Sequence, residues 1–176
     1  MKYGKLNLGQ VEAIVNKLGG MEGVQLFLSG MSEVVVKKHP IDCDADPYLP
    51  EGLEEVVSHK KGGVLEWNPV KAYLLLSPNQ QNDFTIRGYN LRKELENEPV
   101  LNANVLDYLL AHPELIPEEW KGKIVFFWGT IYRDLDDNLY VRYLYWGGDC
   151  WGCDYYWLED DWDGSSPAVC SQVSSN

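Results

Sequence analysis

Ile124-Val125-Phe126-Phe127-Trp128-Gly129-Thr130-Ile131-Tyr132-Arg133, Leu139-Tyr140-Val141-Arg142-Tyr143-Leu144-Tyr145-Trp146 and Trp151-Gly152-Cys153-Asp154-Tyr155-Tyr156-Trp157-Leu158 are three aromatic, β-branched runs. Asp134-Leu135-Asp136-Asp137-Asn138 and Gly147-Gly148-Asp149 separate them with turn-forming residues. Runs of this length and composition, joined by such short connections, predict a three-stranded antiparallel meander. If Trp151 to Leu158 is a strand, Trp151 and Trp157 share one face and are expected to be buried framework, while Gly152, Asp154 and Tyr156 share the other. Beyond it, Glu159 to Asn176 loses periodicity and reads as loop, with Ser165-Ser166-Pro167 as a turn.

Working back toward the N-terminus, the pattern becomes helical. Pro117 suits the first turn of a short helix ending at Trp120. Asn102 or Asn104 can start another, carrying Val105, Leu106, Leu109 and Leu110 until His112-Pro113 ends it, and Asn90 can cap one through Glu96. Val34-Val35-Val36 and Tyr73-Leu74-Leu75-Leu76 read as short buried strands between Pro and Gly punctuation. Val11, Ile14, Val15 and Leu18 recur at helical spacing behind Asn7 as N-cap, and Met21, Val24, Phe27 and Leu28 repeat the pattern before Gly30. This N-terminal hairpin is expected to pack as part of the scaffold through Val11, Ile14, Leu18, Val24 and Leu28.

The predicted class is therefore α+β: an N-terminal helical hairpin over residues 1–31, a mixed α/β middle over 32–120, and the C-terminal antiparallel three-stranded aromatic meander and tail over 121–176. Residues 32–170 are read as one folded unit. At 176 residues, 45% hydrophobic and 24% charged, the chain can bury a core without disulfide or metal.

Charge narrows the partners. Of the net −12, residues 134–176 contribute −8, from nine Asp/Glu against one Lys/Arg. An anionic tail repels a phosphate backbone and an anionic membrane surface, so neither direct nucleic-acid binding nor a membrane partner is expected. No apolar run exceeds five residues, and the N-terminus lacks the apolar core of a signal peptide. The cytoplasm is the expected location, with export by another route left open.

Catalytic and metal motifs are weak. In a strand, Cys150 and Cys153 of Cys150-Trp151-Gly152-Cys153 would point to opposite faces about 10 Å apart, so they are expected neither to share a zinc ion nor to pair. Cys43 with His39, His59 or His112 has no spacing that singles out a nucleophile pair. Glu118 and Glu119 fit the first turn of a helix, where the macrodipole favours acids. Asp160, Asp161 and Asp163 lack the distant bidentate Glu of a calcium loop. No cofactor, metal or catalytic residue is assigned.

The strongest functional signal is the aromatic, acidic tail, whose Trp, Tyr and Asp residues suit a contact surface. Of the twenty residues from Gly147 to Ser166, fifteen are Gly, Asp, Cys, Tyr or Ser, each one or two adenine replacements from an Asn codon; Trp151, Trp157 and Trp162 use a codon without adenine. That composition is the one expected where adenine-directed mutagenesis has rewritten contact positions around a fixed framework.

Gly9 to Gln25 (GQVEAIVNKLGGMEGVQ), Pro99 to Leu110 (PVLNANVLDYLL), His112 to Lys123 (HPELIPEEWKGK) and Phe126 to Arg133 (FFWGTIYR), with the Trp-rich end, resemble a family of uncharacterised small proteins from uncultivated small-genome bacterial lineages. The resemblance implies a hypervariable end on a common scaffold, similar in logic to the variable proteins of diversity-generating retroelements. The chain departs from the C-type-lectin pattern of those proteins.

The function expected is non-enzymatic binding of a ligand, a protein, through Asp149, Gly152, Asp154, Tyr156, Asp160, Asp161, Asp163 and Ser165. The alternatives are an acidic interaction protein that mimics nucleic acid in a basic site, and an enzyme using Cys43 or a carboxylate pair.

Overall fold

The computed structural model describes residues 6–33 and 37–172, and the chain divides into two compact units, Met1–Lys38 and His39–Asn176. In the first unit, α1 (Leu8–Lys17) and α2 (Gly20–Leu28) form the expected pair. Asn7 closes a capping box with Gln10, which satisfies the backbone amides of both residues at the open N-terminal end of the helix. Neither helix contains a buried residue; Val15, Leu18 and Val24 are half-buried, whereas Val11, Ile14 and Leu28 are exposed. The apolar stripe thus does not bury through the five positions expected. Val34 to Val36 lie outside the described residues.

The second unit is built from β1 (Pro40–Asp42), β2 (Glu55–His59), β3 (Val64–Glu66), β4 (Ala72–Leu75), β5 (Ile86–Arg87), α3 (Gly88–Glu94) and α4 (Ala103–Ala111). It continues with β6 (Ile124–Phe126), β7 (Thr130–Arg133), β8 (Leu139–Trp146), β9 (Trp151–Trp157), β10 (Asp161–Trp162) and β11 (Ala168–Ser171). The mixed α+β class and the two N-terminal helices agree with the sequence. Helix α3 starts at Gly88, two residues before the expected Asn90 cap.

The C-terminal strands depart from a simple meander. The run from Ile124 to Arg133 is broken at Phe127–Gly129 into β6 and β7, which lie end to end along one edge of β8, with Phe126 opposite Tyr143 and Tyr132 opposite Tyr140. Strand β9 pairs along the other edge, from Tyr140–Trp157 to Trp146–Trp151. The break lets the sheet fork: β2 adds beyond β7, while β11 and then β4 add beyond β6. The stretch after Glu159 is correspondingly not a loop. Its β10 pairs with β5, and its β11 is inserted between β6 and β4. Alternation failed to announce β11 because Ala168, Val169 and Cys170 are buried together, and a strand covered on both faces reads as a continuous apolar run.

Between the two branches of the fork runs the chain from Pro99 to Asn102. Its Leu101 N–H donates to the Val169 carbonyl (3.0 Å) and its Leu101 carbonyl accepts from Gly129 N–H (2.9 Å). A Cβ at Gly129 would lie 2.8 Å from the Asn102 backbone, so the break needs glycine. Asn102 occupies the N-cap of α4 without capping it; its side-chain amide donates instead to the carbonyls of Cys43 and Lys60 (both 2.9 Å). Thr130 takes over the cap, its hydroxyl accepting from Ala103 N–H at 3.0 Å.

Both faces of the sheet are covered. On one, Val125, Leu144 and Val169 pack with Val105, Leu106 and Leu109 of α4 and with Trp67 and Trp120. On the other, Phe126, Ile131, Val141 and Cys170 pack with Leu91 of α3, Leu158 and Trp162.

Candidate binding surface

Strand β9 pairs only with β8 among the described residues, so its outer edge is open. The register puts Trp151, Cys153, Tyr155 and Trp157 on the α4 face and Gly152, Asp154 and Tyr156 on the other, the alternation that the sequence implied. Burial does not follow as expected. Trp157 is 36% exposed and Trp151 only half-buried, because an edge strand has neighbours on one side alone. The tail's buried indole is Trp162, 0% exposed.

From Trp162 an aromatic row leads outward. Its ring lies 4.4 Å from Phe126 and 5.0 Å from Tyr156; Phe126 is 5.0 Å from Tyr143, and Tyr143 is 5.9 Å from Tyr145. Tyr145 and Tyr156 are 38% and 37% exposed, so the row begins in the core and ends in solvent. Gly152 is the seat of Tyr145: a Cβ there would come within 2.9 Å of the ring. Tyr143 and Tyr145 belong to this surface although no feature of their own run marks them. Counting outward from the Trp146–Trp151 pair would have found them, since it sets Tyr145 opposite Gly152 and Tyr143 opposite Asp154.

The acids fall into three groups. Asp154 faces Tyr143, whose phenol pKa is pushed up by burial and then by that carboxylate. Burial, followed by Asp160, Asp163 and Asp161, pushes Tyr156 up in the same way, with a hydrogen bond to Asp160 contributing. Both phenols therefore stay protonated donors beside carboxylate acceptors at neutral pH. Asp163 accepts from the Ser165 amide (2.8 Å) and hydroxyl (2.6 Å), which holds its pKa below the usual carboxylate range. Buried Gln80 pins this loop by donating to the carbonyls of Asp163 and Ser166, each at 3.0 Å. Asp161 pairs with Arg87 at 3.4 Å. Asp149 stands apart, in the turn closed by Gly147 N–H donating to the Cys150 carbonyl.

Cys150 lies in that turn rather than in the strand, which removes the strand geometry invoked for the cysteine pair. Its thiol pKa is raised by a hydrogen bond to the Asp149 carboxylate and by its charge. Cys153, on β9, receives a long contact from Arg142 Nη2 at 3.6 Å. The Cys43 thiol is buried and pushed up by that burial, and His59 meets the Cys43 carbonyl (3.0 Å) rather than the sulfur. Glu118 is engaged by Lys121 at 2.8 Å.

Among the fifteen adenine-accessible residues of 147–166, eleven are exposed, three half-buried and one, Ser166, buried. Of the five others, Leu158 and Trp162 are completely buried. No helix of the described residues is long and apolar enough to cross a membrane. Searches of protein-family models, curated proteins and solved structures returned no match to this chain.

Proposed function

We propose that this chain is a non-enzymatic binding protein whose forked sheet holds the β8–β9 hairpin and the 159–166 segment as a display surface for a protein ligand. The supporting observation is the separation of residue classes: fourteen of the fifteen adenine-accessible positions between Gly147 and Ser166 reach the surface, and two of the other five lie in the core. Asp and Ser favour surfaces in any protein. Cys150, Cys153 and Tyr156 do not share that bias, since cysteine is among the most buried residue types, yet all three are exposed. Free exposed cysteines are poor choices for a fixed surface and unremarkable in a diversified one.

Phenol donors alternating with carboxylates suit a ligand with a basic, hydrogen-bonding surface. The resemblance to a small-protein family with a hypervariable end, similar in logic to retroelement variable proteins, together with this composition supports reading residues 147–166 as the diversified segment and the remainder of the second unit as its scaffold. The test is the genomic DNA: a reverse-transcriptase gene and a near-repeat of the segment encoding 147–166 should lie nearby, with differences between the two copies confined to adenines of the template. A single-copy segment with synonymous and non-synonymous changes spread evenly would reject diversification.

A further inference from the structure

The second unit also contains a basic cleft, far in character from the acidic tail. It lies between β2, α3 and the Trp128–Gly129 break, encloses about 550 Å³, and is lined by Lys60, Arg92 and Lys93, with Glu96 as its one acid. Acids outnumber Lys and Arg by 27 to 15 in this chain, so a cation should readily find a carboxylate. Arg87, Arg133 and Arg142, every arginine but Arg92, do, as does Lys121, whereas Lys61 and Lys123 do not among the described residues. Lys60, Arg92 and Lys93 form no ion pair with any described residue; Lys60 donates to the Glu98 backbone carbonyl, and Arg92 Nη2 to the Ser58 hydroxyl at 3.2 Å. The macrodipole accounts for cations in the last turn of α3, but Lys60 follows β2 and has no such reason to be there.

The remaining walls are apolar and aromatic: Trp128, Tyr89, Leu95 and Val100. Trp128 is 5% exposed, and its buried indole N–H has no acceptor among the described residues. His59 also borders the cleft, but both ring nitrogens are occupied, by Thr130 Oγ1 (2.8 Å) and by the Cys43 carbonyl (3.0 Å), so it serves the wall rather than the ligand. A guanidinium and two ammonium groups match a dianion better than a single carboxylate, and a volume within about 300–1,000 Å³ with mixed lining is typical of small-molecule sites.

We infer that this cleft binds a phosphate monoester carrying a planar ring, of the nucleoside monophosphate class, with the phosphate on Lys60, Arg92 and Lys93 and the ring against the aromatic and aliphatic wall. The site shares no residue with the display surface, and neither depends on the other.

The test is isothermal titration of the full chain with the four ribonucleoside monophosphates and 4-nitrophenyl phosphate, against adenosine and inorganic phosphate. At least one ring-bearing monoester should bind saturably and more tightly than inorganic phosphate, and adenosine should not bind. The Arg92→Gln/Lys60→Gln variant should lose at least about tenfold in affinity, as the loss of charge-assisted hydrogen bonds implies, while Glu51→Gln, at an exposed position outside both sites, should retain it. A circular-dichroism melt matching the parent would show that the double variant is folded; if it is not, Lys93→Gln alone must lower affinity. Absence of saturable binding by all five monoesters, equal binding of adenosine, or unchanged affinity in a folded charge variant would overturn the site.

Discussion

Gly129 and Trp162 carry more of this fold than their sequence context suggests. A methyl group at Gly129 would meet the Asn102 backbone at 2.8 Å, where no flexible side chain can give way. Gly129→Ala should therefore cost about 1–3 kcal/mol, as overpacking does, read as a lower denaturant midpoint. Trp162→Ala should cost about 3–5 kcal/mol, since its indole is fully buried against Phe126 and Trp128. Asp154→Ser and Cys150→Asn, both exposed, should stay within about 0.5 kcal/mol of the parent. Tyr156→Ser should fall between, because its ring is 37% exposed yet touches Trp162. From sequence, Trp157 and Trp162 carry the same framework reading. Alternation gives a side chain's face but not whether another strand lies beyond, and that second fact separates exposed Trp157 from buried Trp162.

At the scale of elements, helices were the most readable part. Asn7, His112-Pro113 and Pro117 stand at helix boundaries because caps and proline act locally; Asn102 stands at one too, although Thr130 does its capping. The fork of the sheet was not readable: it is created by contacts between Gly129 and Leu101, 28 residues apart in sequence. The Asp134–Asn138 turn offers a titratable probe of the β7–β8 connection. Burial would raise the Asp134 pKa, but hydrogen bonds from the Asn138 side chain and amide, the Tyr140 hydroxyl and the Asp136 amide outweigh it and leave it below the ordinary value. A depressed folded-state pKa contributes stability in full above the ordinary carboxylate range and loses it as pH falls through the folded value. The stability difference between the parent and Asp134→Asn should thus be constant near neutrality and shrink below about pH 4. A difference that grows on acidification would contradict this. At the alkaline end, Tyr140, raised to about 12 by burial and the same carboxylate, should resist ionisation in a spectrophotometric titration.

At the scale of the whole second unit, α4 is tied to the sheet by one charged contact. Arg142 is 3% exposed and takes a two-point grip on Asp107, at 2.7 and 3.1 Å. Burial alone would lower its pKa, but the hydrogen bonds and charge of Asp107 outweigh that and leave it above the ordinary value. Asp107→Ala would leave a buried guanidinium without its carboxylate and should cost about 3 kcal/mol, the low end for breaking such pairs because Asp107 is one-third exposed. The larger division is between positions that hold the forked sheet and positions it merely presents. Its most direct measurement is a protease-resistance screen of two libraries in the full chain. One randomises Asp149, Cys150, Asp154, Tyr156, Asp161, Asp163 and Ser165; the other randomises Val141, Leu144, Leu158 and Trp162. A display surface on a fixed scaffold requires most members of the first library to remain folded and most of the second to be digested. Digestion of the first library as frequent as that of the second would contradict it.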